Sequence, residues 1–231
     1  MAGKVHREQV DFSTTMMPLT ADIILNAYAN GVFPMSDDRN DPELFWVDPE
    51  QRGIFPLEAF HVPRSLAKTI RKMPFNVTVD QDFGQVMREC AKATNERDTT
   101  WINQTILELY AELHERGYAH SVECWHEGKL AGGLYGVSFA GVFCGESMFT
   151  RVTDASKIAL TYLVARLKHG GFTLLDAQFM TDHLAKFGAI EIDRADYHRR
   201  LDKALKVKSN FYSLPVDSSG SAILQSITQT S

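Results

Sequence analysis

The chain has 231 residues, 24 Lys plus Arg against 29 Asp plus Glu, a formal net charge of −5, 44% hydrophobic residues and three cysteines. That balance fits a water-soluble protein of one or two domains and excludes a chain that coats nucleic acid through bulk charge, so any nucleic-acid contact must come from a local patch. No apolar run reaches the roughly 18 residues of a membrane span, Met1 to Asp11 holds no apolar leader, and Cys90, Cys124 and Cys144 suit neither a disulfide framework nor a C-x-x-C site, so a cytoplasmic location is expected.

Thr20 is placed to cap a short helix through Ile23, Ile24, Ala27 and Tyr28 that stops at Gly31. Pro34, Pro42, Pro49 and Pro56 then stand among scattered aromatics, and the stretch from Val32 to Pro63 is expected to be mostly irregular. Pro63 opens a helix to about Met73, Phe75–Val79 is a strand, Phe83, Val86, Met87 and Cys90 mark a helix, and Ile106, Leu109, Tyr110 and Leu113 another. The runs Ala119–Trp125, Leu130–Val137 and Val142–Phe149 form an antiparallel meander joined by hairpin-sized connections. Asp154 opens a helix with Leu160, Leu163, Val164 and Leu167 on one face, Gly170 and Gly171 end it, Phe172–Ala177 is a buried strand, and further helix with a short strand near Ala189–Ile192 completes an α+β order. A boundary is expected near His61, dividing a small N-terminal domain (1–60) from a larger domain (61–206), with 207–231 as a flexible tail because the apolar periodicity fades into Ser-rich text.

Alternation with a period of two puts Val142, Cys144, Glu146 and Met148 on one face, so a single carboxylate stands among apolar side chains. Such a group must be hydrogen-bonded, protonated or matched to a cation, which makes Glu146 either a structural acid or the receiver of a ligand ammonium group. Asp176 and Gln178 sit at i and i+2 of a strand end. They either cap the turn into Thr181 or orient a nucleophile, with Asp176 polarising Gln178. Arg64, Lys68, Arg71 and Lys72 fall at i, i+4, i+7 and i+8, opposite Leu66, Ile70 and Met73. This unbroken basic face serves either as a phosphate track or as an ordinary solvated surface. The chain holds no phosphate loop, nucleophile elbow or H-E-x-x-H, and its histidines lack metal-ligand spacing, so no metal is expected.

Taken in order, Gly31-Val32-Phe33-Pro34-Met35, Phe45-Trp46-Val47-Asp48-Pro49 with Arg52, His61-x-x-Arg64-Ser65-Leu66, Thr100-Trp101-Ile102, Ala119-His120-Ser121-Val122-Glu123, Gly132 to Val137, Gly145-Glu146-Ser147-Met148-Phe149, Ala155-Ser156-Lys157 and Asp176-x-Gln178 resemble the bacterial leucyl/phenylalanyl-tRNA–protein transferases. Met35 stands where many members of that family have Trp. The resemblance implies a C-terminal domain with the fold of GCN5-related N-acetyltransferases and a small N-terminal domain. The activity it implies is transfer of Leu or Phe, with Met as a further donor, from aminoacyl-tRNA to the N-terminal Arg or Lys of a protein, which forms an N-end-rule degradation signal. In this resemblance the catalytic residues are Glu146, which meets the aminoacyl ammonium group, and Gln178 with Asp176, which position the attacking amine. Leu134, Met148, Leu163, Leu167 and Leu175 line the side-chain pocket, Phe33 and Trp101 hold the terminal adenosine, and Lys68, Arg71 and Lys72 meet acceptor-stem phosphates. No cofactor or membrane is implied, and a monomer is the default. One geometric demand follows from the alternation: Leu175 points away from Asp176 and Gln178, so all three serve one site only if the strand bends or bulges there. Element order also admits a CoA-dependent acyltransferase of the same fold, but Asp154, in the turn where such an enzyme carries its Gly-rich loop, would repel a pyrophosphate.

Overall fold

The computed structural model describes residues 19–92, 99–216 and 218–228, so Met1 to Asp11 lie outside the described part. Local chemistry starts each of the first helices. Thr20 accepts from the Ile23 amide at 3.4 Å and opens α1 (Ala21–Ala29). Pro63 precedes α2 (Arg64–Arg71), Asp82 caps α3 (Phe83–Cys90) through the Gln85 amide at 2.9 Å, and Asn103 caps α4 (Gln104–Glu115) through the Ile106 amide at 2.8 Å. The meander forms as β5 (Ala119–His126), β6 (Lys129–Phe139) and β7 (Val142–Thr150). Its first turn holds Glu127 and Gly128 at φ 50° and 74°, a pair of left-handed residues whose twist matches that of the flanking strands.

Seven strands make the central sheet in the order β4 (Asn76–Val79), β5, β6, β7, β8 (Leu174–Gln178), β3 (Gln51–Phe55), β9 (Ile190–Asp193). All neighbours are antiparallel except β7 and β8, whose parallel pairing requires a crossover, supplied by α5 (Ala155–His169). One apolar core joins α2 and α5 to one face of the sheet. A second core joins α1, α3, α4 and α7 (Arg194–Ala204) to the other face.

Two expectations meet a different outcome. The stretch from Val32 to Pro63 is not mostly irregular: β1 (Phe33–Met35) pairs with β2 (Phe45–Val47), and β3 enters the main sheet between β8 and β9. The boundary expected near His61 therefore falls after a strand that belongs to the sheet. Its alternation is masked because Arg52, a buried cation, occupies an inward position beside Gly53, while Ile54 and Phe55 fill opposite cores.

The described residues after Val207, expected as part of a loose tail, are packed. Buried Arg166 donates to the Phe211 and Leu214 carbonyls at 2.8 and 2.9 Å. The helix α8 (Gly220–Thr228) buries Ile223, Leu224 and Ile227 in the core shared by α2 and α5. A helix of nine residues is marginal alone, and tertiary burial orders it.

Candidate active site

The parallel pair β7 and β8 stays in register only over Val142↔Leu174, Phe143↔Leu175 and Cys144↔Asp176. Beyond Cys144 each strand takes in an extra residue. On β7, Gly145 pairs with Gly136 and Ser147 with Tyr135, leaving Glu146 as a bulge. On β8, Asp176 pairs with Ile54 and Gln178 with Gly53, leaving Ala177 as a second bulge. The bulge at Glu146 breaks the expected shared face: Val142 and Cys144 belong to one core and Met148 packs against the other. Gly136 makes the β7 bulge possible, because a Cβ there would lie 2.3 Å from the Cys144 carbonyl oxygen.

Between the two bulges opens a cavity of about 300 Å³. Leu134, Met148, Leu163 and Leu175 line it, together with Phe55, Leu160 and Leu184, which the family resemblance does not name. Leu167 is fully buried in the adjoining core and does not line the cavity. The strand break demanded by Leu175 and Gln178 is present. Gln178 has φ 57°, and the Phe179 amide donates to the Ala177 carbonyl at 2.6 Å, so Gln178 is the centre of a tight three-residue turn. A left-handed conformation in a residue other than glycine costs about 1–3 kcal/mol and persists only where its surroundings enforce it. Here Asp176 Oδ1 accepts from the Gln178 amide at 2.9 Å.

Two carboxyl groups, of buried Asp176 and half-buried Glu146, flank this turn. Asp176 is wholly enclosed and receives Arg52 in a fork, Nε to Oδ1 at 2.9 Å and Nη2 to Oδ2 at 2.6 Å, with the Tyr197 hydroxyl on Oδ2 at 2.8 Å. Glu146 has no cation in contact among the described residues. Its Oε1 accepts from the Tyr28 hydroxyl at 2.7 Å and from Gln178 Nε2 at 3.0 Å, and the Tyr110 hydroxyl reaches Oε2 at 3.5 Å. Burial dominates these bonds and pushes the Glu146 carboxyl up to about 8. Burial, and then the charge of Glu146, also hold Tyr28 and Tyr110 well above the ordinary tyrosine value, so both stay hydroxyl donors. Gln178 gives its nitrogen to Glu146, which leaves its side-chain oxygen available as an acceptor. Asp176 acts on Gln178 through the backbone amide, and the expected side-chain contact between the two is replaced by the fork to Arg52. The need of each carboxylate for a partner was legible in the sequence, whereas Arg52, Tyr28, Tyr110 and Tyr197 were hidden because they lie on distant segments.

A family model described as leucyl/phenylalanyl-tRNA protein transferase matches residues 54–202, and one for the N-terminal domain of the same transferase matches residues 17–50. A leucyl/phenylalanyl-tRNA–protein transferase of Phenylobacterium zucineum is 58% identical over 94% of this chain and its own full length. One from Paramagnetospirillum magneticum is 60% identical over 82% of this chain and 91% of its own. One from Maricaulis maris is 53% identical over 91% and 98%. This chain belongs to the leucyl/phenylalanyl-tRNA–protein transferase family. A crystal structure of FemX superposes with a TM-score of 0.50 over 74% of this chain and 66% of FemX, at 14% identity, and shares the fold alone.

The remaining residues named by the family resemblance lie outside the cavity. Phe33 is only 3% exposed, capped by the Arg52 guanidinium 4.6 Å from its ring and edge-on to Phe179 at 5.7 Å, so its faces are closed to an adenosine. The half-exposed ring at the cavity mouth is Phe179 itself. Trp101 is half-buried three residues ahead of α4, the helix that carries Tyr110. Arg64, Lys68 and Arg71 on α2 and Lys72 at its C-terminal cap are exposed and make no ion pair among the described residues. His183 lines the cavity, and burial with Lys157 and Lys186 nearby lowers its pKa and keeps it neutral. Among the described residues no helix is long and apolar enough to cross a membrane, and no group of three His, Cys, Asp or Glu side chains could hold a metal ion.

Proposed function

We propose that this chain transfers Leu or Phe from the 3′ end of an aminoacyl-tRNA to the N-terminal amine of a protein beginning with Arg or Lys, which marks that protein for degradation by the N-end rule. The observation that carries the mechanism is a half-buried Glu146 that meets no cation among the described residues and is bonded to Gln178 beside an apolar cavity. The donor's α-ammonium group supplies the cation that Glu146 lacks, and its side chain enters the cavity between β7 and β8. Adding or removing a methylene in such a pocket changes binding by only about 1–3 kcal/mol. Met148 adapts its shape, so Leu, Phe and Met are all admitted.

Bound in this way, the ester carbonyl lies beside Gln178. The acceptor amine attacks the carbonyl carbon, a C–N bond forms, and the C–O bond to the terminal ribose breaks. Gln178 Oε1 accepts a hydrogen bond from the amine and holds it in line. The proton that leaves the amine passes to the departing ribose oxygen. An aminoacyl ester is already activated, so positioning supplies most of the acceleration. Asp176 and Arg52 do not touch substrate in this scheme and maintain the strained turn at Gln178.

Trp101 receives the terminal adenosine, and Lys68, Arg71 and Lys72 meet acceptor-stem phosphates. The parallel strands that part around the site, the crossover helix α5 and the likeness to FemX all support a fold of the GCN5-related N-acetyltransferase kind. Asp154, paired with Lys157 at 2.7 Å ahead of α5, disfavours a pyrophosphate and hence acyl-CoA. Three buried free cysteines suit the reducing cytoplasm.

The test offers labelled Leu-tRNA, Phe-tRNA and acetyl-CoA separately with peptides beginning with Arg, Lys, Asp or Ala, and follows peptide mass. A gain of Leu or Phe on the Arg and Lys peptides alone is expected. Transfer to the Asp peptide would overturn the acceptor rule, and acetylation alone would overturn the donor.

A further inference from the structure

A carboxylate suits recognition of the cationic side chain of the acceptor's first residue, and the acids around Gln178 are already engaged. Asp176 is consumed by Arg52, and Glu146 is assigned to the donor. Asp48 faces Arg194 and His198, and Asp193 caps α7 through the Asp196 amide at 2.7 Å. The sheet register points elsewhere. Gly53 of β3 pairs on one side with Gln178 and on the other with Glu191 of the edge strand β9, so the three stand in one row across the sheet. Arg52 and Ile192, their neighbours in register, face the core that holds Tyr197. Directly opposed residues share a face, so Glu191 is turned to the other side with Gly53 and the cavity residue Phe55.

Gly53 leaves room on that face. A Cβ there would meet the Phe179 carbonyl carbon at 2.9 Å and the Met180 amide nitrogen at 3.0 Å. The backbone leaving Gln178, at Phe179 and Met180, is therefore laid over Gly53, the residue that separates Gln178 from Glu191 in the row, while the Phe179 ring, 39% exposed, turns to Phe33. Glu191 is exposed and makes no ion pair among the described residues.

We infer that Glu191 is the residue that selects acceptors beginning with Arg or Lys. This inference rests on the transfer reaction proposed above. With the acceptor amine at Gln178, its side chain runs across the sheet over the Phe179–Met180 backbone and ends at Glu191. Two strand spacings, about 10 Å, separate the Gln178 and Glu191 backbones. That is a span suited to Arg and Lys and too long for a short side chain. Arg and Lys are accepted alike because a single exposed carboxylate reads charge and reach, without the enclosed fork that would favour a guanidinium.

The experiment uses the full chain, Phe-tRNA as donor, and peptides beginning with Arg, with citrulline as its neutral isostere, with Lys and with norleucine. Glu191→Gln should raise the KM for the Arg and Lys peptides by about tenfold to a hundredfold, the worth of one charge-assisted hydrogen bond. It should also erase the preference for Arg over citrulline, leaving kcat at saturating acceptor and the KM for Phe-tRNA unchanged. Asp182→Asn removes the exposed charge between the cavity residues Thr181 and His183 and should alter none of these values. Glu191→Lys should extend transfer to peptides beginning with Glu. An unchanged Arg-to-citrulline ratio in Glu191→Gln, or the same loss in Asp182→Asn, would overturn the assignment while leaving the transfer reaction intact. Failure of the unaltered chain to transfer at all would overturn both.

Discussion

Asp176, wholly buried, and Glu146, half-buried, are two acids whose hydrogen-bond networks meet at one glutamine, and they solve the problem of a desolvated charge in opposite ways. Asp176 has a full set of partners within the fold: a forked guanidinium, a tyrosine hydroxyl and the Gln178 amide. Among the described residues Glu146 has two tyrosine hydroxyls and an amide but no cation, and burial leaves its carboxyl at about 8. The difference separates architecture from binding. A carboxylate completed by the protein can only position its neighbours, whereas one left short of a cation gains most from a ligand that carries one.

The comparison breaks most easily at Arg52. Arg52→Met leaves Asp176 buried and uncompensated, and denaturant unfolding should show a loss of about 3–5 kcal/mol, with most of it regained in the double variant Arg52→Met/Asp176→Leu. A loss no larger than that of a surface substitution would mean that Asp176 is not structural in this sense. Gln178→Ala should lower turnover more than a hundredfold while folding and binding of tRNA persist, because it removes an aligning group and not a core contact. Equal turnover would remove Gln178 from the mechanism.

Glu146 sharpens the contrast through pH. Its folded value is raised above the ordinary 4.5, so the folded state binds the extra proton and stability falls as pH rises from about 4.5 to about 8. Glu146→Gln should flatten that slope in unfolding curves. In the intact chain a cationic donor must expel the same proton, so the donor KM should rise as pH falls below 8, by up to about tenfold per unit, and lose that dependence in Glu146→Gln. The smallest effect is expected far from both acids. Replacing Lys68, Arg71 and Lys72 together by Ala should weaken tRNA binding and reduce its salt slope by about two to three without altering peptide selectivity. An unchanged slope would return the basic face to an ordinary solvated surface.

Helices and the meander were legible because each carries its own signal: Thr20 and Pro63 ahead of helices, a 3.6 period through Ile106 to Leu113, and a hairpin-sized connection at Glu127 and Gly128. The same period-two reading that found β7 and β8 also misplaced their faces. One inserted residue at Glu146 and one at Ala177 exchange inside for outside, and nothing in the local sequence records such an insertion. Phe33 resembled an open aromatic contact until its ring was found closed beneath Arg52.

The sequence by itself determined the class of elements, the family and the three polar residues Glu146, Asp176 and Gln178, because these depend on residue type at short spacing. Only the tertiary structure decided that β3 would deliver Arg52 to Asp176, that Tyr28 and Tyr110 would converge on Glu146, and that the segment after Val207 would pack on α5. Those contacts join residues 124, 118, 36 and 45 positions apart, where their geometry follows from the sheet register and the burial of whole elements together and leaves no local pattern to read.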